Sequence, residues 1–386
     1  MKIILKIHFL GIFVSLLFMC SCATKSSLGC RLPADVEMNK DAGRGNELIV
    51  TLRLESGDEL PFVVDTGCPT TLFDKSLEPK LGKRLGAGTF GNFGTKEEMG
   101  IYAMPKLYLG NTRLMTGDHT FAVDLKSKSF PGMGVLGMDC LRHYCIQLDF
   151  EARKIRFLDP NQINAAEFGK AYPLSFSSEE QNRKEFVRPF IHCGSLIGGE
   201  GTNLMIDTGY RVDGALESGL FQREVRKQMF RAEDDVVKSQ DKGRVWFPKC
   251  VWNNQSYTNL LLGEGGNLIG LGFLARHLVT LDFPKQIIYL KQTSVGPLVD
   301  EKTEAAVNFV EDLKERNQLP GWTAEDEGMI YFEAFPNCEV FDGRKKDDLS
   351  AYHYKIAQLP DAGPLKLQKA WRTDQGGKTI EEFPVP

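Results

Sequence analysis

The chain has 386 residues, 42% hydrophobic and 25% charged, with a formal net charge of −4. That composition excludes a disordered or low-complexity chain, and the length leaves room for two or three domains. Charges of both signs are interspersed, so there is no electrostatic footprint for nucleic acid and none for an anionic membrane surface.

Lys2 and Lys6 precede an apolar run from Ile7 to Met19, the order of a secretory signal whose core is too short to span a bilayer. The run ends in Met19-Cys20-Ser21-Cys22-Ala23, which resembles the lipobox of bacterial lipoproteins, with Cys22 at the lipidated position. Met19 and Cys20 depart from the usual box, and cleavage after Ala23 by an ordinary signal peptidase is the alternative. On this resemblance residues 1–22 are a lipoprotein signal peptide, and the protein is exported to the bacterial cell envelope and lipid-anchored to a membrane, facing the periplasm or exterior. Seven further cysteines, an odd number without a CxxC, make neither a disulfide framework nor a zinc site. Residues 23–45, with Ser26-Ser27, Gly29, Gly43 and Gly45, read as a tether.

From Glu47 the pattern becomes that of strands. Leu48 to Leu54 partly alternates, Glu55 to Asp58 is turn chemistry, and Leu60 to Val64 returns, a hairpin that delivers Asp65-Thr66-Gly67 at a strand end. The next segment carries Gly82, Gly86, Gly88, Gly91 and Gly94 interleaved with Leu85, Phe90 and Phe93. Glycine at this density keeps a hairpin mobile or admits a ligand close to backbone, which makes Gly88, Phe90, Gly91, Phe93 and Gly94 flap candidates. Asp207-Thr208-Gly209 repeats the first device after Leu204-Met205-Ile206, 207 − 65 = 142 residues on. A closing segment repeats as well: Gly137 to Phe150 aligns without a gap on Gly270 to Phe283. Carboxylate and closing segment thus recur in the same order, the sign of a duplicated β-rich unit with a pseudo-two-fold axis. Glu217 to Glu233 reads as a helix, and so does Thr303 to Asn317, with Ala306, Phe309, Val310 and Leu313 on one face. Asp374 to Gly377 is a hairpin signal between two strand patterns.

Two carboxyls about 3 Å apart cannot both ionise, so they share a proton and can act as acid and base at once. Such a pair can cleave a peptide bond with one water, provided each aspartate sits on a rigid turn and the water is shielded. The two Asp-Thr-Gly turns, with Leu136-Gly137-Met138-Asp139-Cys140-Leu141, resemble the retropepsin-like and pepsin-like aspartic proteases over residues 46 to 160 and 185 to 291. The resemblance implies an all-β fold of two pseudo-symmetric retropepsin-like β-barrel lobes, at 46–160 and 170–293, followed by a small α+β appendage at 300–386. It implies Asp65 and Asp207 as the catalytic pair, Thr66 and Thr208 as a hydrogen-bond brace beneath it, and Gly137 and Gly270 packed behind the turns that Gly67 and Gly209 complete. It also implies an aspartic endopeptidase acting on peptide or protein substrates without a cofactor or metal, as a monomer with both lobes in one chain. Tyr210-Arg211 after the second turn departs from the family pattern: Arg211 would favour ionised Asp207, point outward, or bind a substrate carboxylate. The alternative function is a catalytically inactive lipoprotein of the same fold that binds peptides or envelope partners.

Overall fold

The computed structural model describes residues 35–386 apart from 93–94, 127–129, 160–163, 178–186, 195, 197–200, 231–243, 300, 324, 327, 333–339, 346–347, 349, 359–362, 375–376 and 386. The signal segment, Cys22, Phe93 and Gly94 lie outside the described residues. Strands dominate, arranged in sheets of twelve, nine and five strands.

The stretch 35–45, expected as a tether, belongs to the folded body. Its strand β1 (Asp35–Glu37) pairs antiparallel with residues 154–156, and Met38 and Ala42 are buried in the main core. Those two apolar side chains outweigh the glycines that made the stretch look like a linker. In β2 (Ile49–Leu54), Val50, Leu52 and Leu54 face inward, as alternation requires. The turn at 55–58 returns the chain antiparallel as β3 (Glu59–Val64), with Ile49 opposite Val63. Alternation stops at the end of β3, where Phe62, Val63 and Val64 are all buried. The cause is β10 (Gly134–Leu136), which lies parallel beside it with Leu136 opposite Val64, and a parallel pair covered on both faces reads as continuous apolar sequence. β4 (Leu72–Asp74) flanks β10 antiparallel and pairs parallel with β9 (His119–Val123). The glycine-rich segment forms a hairpin of β5 (Arg84–Asn92) and β6 (Thr95–Ala103), attached to β9 through β6. β7 (Leu107–Leu109) and β8 (Thr112–Arg113) end the other side of this nine-stranded sheet.

The second unit repeats the plan. β13 (Lys170–Ser177), β14 (Arg188–Gly194) and β15 (Gly201–Asp207) are consecutive antiparallel strands. β15 lies parallel to β19 (Leu268–Gly270), with Asp207 opposite Gly270. β16 (Gly214–Leu216) is antiparallel to β19 and parallel to β18 (Gln255–Glu264), as β4 is to β10 and β9. Here α2 (Ser218–Phe230) and β17 (Arg244–Trp252) take the place of the glycine-rich hairpin.

Each closing segment makes a short helix, α1 (Met138–Leu141) or α3 (Leu271–Leu274), then two strands. These are β11 (Cys145–Asp149) with β12 (Lys154–Leu158), and β20 (His277–Asp282) with β21 (Ile287–Gln292). β11 and β20 pair antiparallel with Gln147 opposite Thr280. Those two positions are also equivalent in the repeat, because 280 − 147 = 270 − 137 = 133. A residue that faces its own equivalent marks a local two-fold axis, and there the Gln147 Nε2 donates to Thr280 Oγ1 at 3.0 Å. Among the described residues the expected β-barrels are not formed: the sheets stay open, ending on β5 and β8 in one case and on β1 and β17 in the other. β11 and β20 pair with each other across the axis, which joins strands of both units into the twelve-stranded sheet.

After residue 300 the chain forms α4 (Glu301–Glu315) and an antiparallel meander of β22 (Gly328–Phe332), β23 (Val340–Lys345), β24 (Ala351–Gln358), β25 (Leu365–Thr373) and β26 (Thr379–Phe383). It has its own core, in which Ala306, Val310 and Leu313 of α4 join Trp322, Tyr354, Ile356 and Leu367.

The two units lock their turns differently. In the first, Asp139 of α1 accepts from the Thr71 N–H and hydroxyl, both at 2.7 Å. In the second, Asp213 stands at the position equivalent to Thr71, and the buried Arg276 grips it through Nε and Nη2, each at 3.0 Å. Arg276 also donates to the carbonyls of Thr258, Asn259 and Val295, so its fork is matched by acceptors on every side. Arg276→Met leaves a buried carboxylate and three carbonyls without their cation. The expected cost is about 3–5 kcal/mol, read as a lower urea midpoint.

Candidate active site

Asp65 leaves β3 where the parallel partner β10 ends, and its N–H donates to the Leu136 carbonyl at 3.1 Å. Asp207 ends β15 at the matching point beside Gly270. The two turns meet through a reciprocal brace. The Thr66 hydroxyl donates to the Ile206 carbonyl at 2.7 Å and accepts from the Thr208 N–H at 3.1 Å. The Thr208 hydroxyl donates to the Val64 carbonyl at 2.7 Å and accepts from the Thr66 N–H at 3.0 Å. Both threonines are buried, so these four bonds have no water to compete with them.

Above the brace the two carboxyls are in hydrogen-bonding contact. Glycine is required at the third position of each turn: a methyl on Gly67 would stand 2.5 Å from the Asp207 Cγ, and one on Gly209 would collide with the Asp65 carboxyl. Each turn therefore forms one wall of the other turn's carboxylate. Behind them, Gly137 and Gly270 have nearly the same backbone, φ −97° with ψ −175° and φ −95° with ψ 176°. They lie against the loops at Thr70 and Val212, where a Cβ would strike backbone. Met138 and Leu271 then donate to the Cys68 and Tyr210 carbonyls at 2.9 and 2.7 Å.

The two aspartates are not equivalent. The Asp65 Oδ1 accepts from the Gly67 and Cys68 N–H groups at 2.8 and 3.0 Å, whereas the Asp207 Oδ1 accepts from Gly209 alone at 2.9 Å. Burial raises both carboxyls, and the charge of Asp65 raises Asp207 further, to about 8. The extra N–H donor favours the ionised form of Asp65 over that of Asp207; the two titration steps belong to the pair.

Arg211, adjacent to the second turn, reaches the first unit. Its Nε lies 3.5 Å from the Glu47 Oε1 of the first unit. Arg188 is a cation at the pair: its Nε donates to the Gly67 carbonyl at 2.7 Å, and its charge favours the ionised form of both aspartates. Sequence reasoning passed over Arg188; the available signal was strand register, which sets it opposite Asp207 in the neighbouring strand. The Cys68 thiol is buried, donates to the Thr70 carbonyl at 3.1 Å, and is pushed well up by burial and by Asp65, so it packs as a thiol beside the pair. Of the flap candidates, Gly88, Phe90 and Gly91 lie on β5, where Gly88 faces Met99, Phe90 faces Glu97 and Gly91 faces Lys96. Among the described residues no group of three or more His, Cys, Asp or Glu is placed to hold a metal ion.

No family model matches the chain and no curated protein matches it. Among solved structures, that of Basic 7S globulin from soybean is similar over 68% of this chain and 96% of that one, at 14% identity and a TM-score of 0.42. So slight an overlap leaves the architecture resting on the chain's own strand pairing. The assignment to the retropepsin-like and pepsin-like protease family, expected from the motifs, is corrected accordingly. The motifs that carried it are two tripeptides and a closing segment of fourteen residues. They express what is needed to hold a carboxylate at a strand end, and the remaining sequence brings no family match.

Two outcomes follow from the brace and the pair. Thr208→Val leaves the Thr66 N–H and the Val64 carbonyl buried without partners, at about 1–3 kcal/mol; denaturant unfolding reads the loss, and Thr208→Ser restores it. The pair holds a proton in the folded chain that an unfolded aspartate, with a pKa of about 3.9, has released. The stability due to that proton is complete below the unfolded value and is lost as pH rises through the folded one. Asp207→Asn should therefore gain stability over the wild type between about pH 4 and pH 8, and equal pH slopes would contradict the sharing.

Proposed function

We propose that the chain is an endopeptidase that hydrolyses peptide bonds with a water activated between Asp65 and Asp207. The observation that carries this reading is the contact of two recessed carboxyls above a reciprocal threonine brace. Rigid acid and base groups in contact are what a metal-free attack of water on an amide requires.

In this reading ionised Asp65, held by two N–H donors, takes a proton from the water as its oxygen attacks the carbonyl carbon. Asp207 gives its proton to the carbonyl oxygen, and a neutral tetrahedral diol results. The return step moves a proton from the diol to Asp207 and one from Asp65 to the amide nitrogen, the C–N bond breaks, and the pair is again singly protonated. The hairpin of β5 and β6 sits on the edge of its sheet and is joined to it through β6, which suits a cover over bound peptide. Because both aspartates come from one chain, the unit works as a monomer. We place it, on the N-terminal pattern, at the exported side of the cell envelope, anchored through Cys22 and acting on peptide or protein substrates.

The test is digestion of a mixed peptide library by protein lacking residues 1–22, from acid to alkaline pH, beside Asp65→Asn and Asp207→Asn. Either variant should lose at least about 100-fold in kcat/KM. The wild-type profile should be a bell, falling on the acid side as Asp65 takes a proton and on the alkaline side as Asp207 loses one. Cleavage that survives in either variant sinks the mechanism. Peptide binding without cleavage at any pH would make the protein a binding module.

A further inference from the structure

The strand registers place one charged residue opposite each aspartate. In the first unit Val64 donates to the Leu48 carbonyl at 2.8 Å, which sets Glu47 opposite Asp65. In the second, Ile191 faces Leu204, and the same register carried along β14 sets Arg188 opposite Asp207. Glu47 and Arg188 are thus equivalent positions of the repeat, and each reaches over to the other unit's turn. Glu47 meets Arg211, four residues past Asp207, at 3.5 Å. Arg188 meets the carbonyl of Gly67, two residues past Asp65, at 2.7 Å. The two clasps differ in kind: the first is an ion pair, while the second brings a guanidinium to a backbone carbonyl.

A guanidinium is a fixed cation with directional donors. With one shared proton the aspartates carry a single negative charge, and a cation held at the neighbouring turn favours that charge. We infer that Arg188 is a positioning residue of the aspartate pair, holding the first turn through the Gly67 carbonyl and placing a positive charge where it favours the ionised member of the pair. The inference rests on the reading of Asp65 and Asp207 as the working centre. The direction of its field on the two carboxyls agrees, since it lowers both against their burial. The other charged or titratable groups about the pair are the buried thiol of Cys68, the phenol of Tyr210 with Arg244 beside it, and the Glu47–Arg211 ion pair.

The carboxyl titration of the pair, followed by 13C NMR of aspartate-labelled protein and assigned with Asp65→Asn and Asp207→Asn, tests this without relying on turnover. Arg188→Gln keeps a donor for the Gly67 carbonyl and removes the charge; Arg188→Met is the second neutral replacement, and near-UV circular dichroism checks that each is folded. Both titration steps should rise by about one pH unit in the neutral variants, while Arg188→Lys, which keeps the cation, should stay at wild-type values. Steps unmoved in a folded neutral variant, or moved as far in Arg188→Lys, overturn the inference. Shifted steps in a protein that cleaves no peptide would leave the role of Arg188 standing and remove the proposed reaction. Cleavage with unshifted steps would do the reverse.

Discussion

Two carboxyls can rest in contact only if something other than the carboxyls holds them there, because their mutual repulsion drives the turns apart whenever both are ionised. The reciprocal bonds of Thr66 and Thr208 meet that need. Each hydroxyl both donates and accepts, so neither turn can move without breaking bonds at the other. Gly67 and Gly209 are what that closeness demands, since any side chain there would occupy the opposite carboxyl's place.

The brace is short, and its alignment depends on the sheet that joins the units. β11 and β20 pair about an axis that passes between Gln147 and Thr280, and the same symmetry relates Thr66 to Thr208. The axis is therefore pinned at two separate places. Within this frame the units diverge in polarity: Asp139 steadies one turn by accepting from Thr71, while Arg276 steadies the other by donating to Asp213. The same mechanical task is thus met by opposite charges. That asymmetry continues at the pair, where Asp65 has one more N–H donor than Asp207, so the two carboxyls are not interchangeable.

The hairpin that delivers Asp65 and the helices at 218–230 and 301–315 follow from local pattern, and the chain's periodicity expresses them directly. The stretch at 35–45 misled because its glycines are local information, whereas the burial of Met38 and Ala42 depends on a surface assembled from distant segments. Barrel closure failed as an expectation for a similar reason: a strand's pattern states which face is apolar, not which strand it pairs with. Arg211 drew notice because it adjoins the second turn, yet it turns to Glu47. Arg188 drew none because nothing near it in the chain marks it.

By itself the sequence determined the two carboxylate turns, their glycines, the repeat and therefore the axis, because a duplication and a strand-to-turn transition are written in neighbouring residues. Only the tertiary structure decided that Arg188 reaches the first turn while Arg211 meets Glu47, and that the closing strands join the units instead of sealing barrels. Those outcomes depend on distances between residues more than a hundred positions apart, and such distances exist only once the chain has folded.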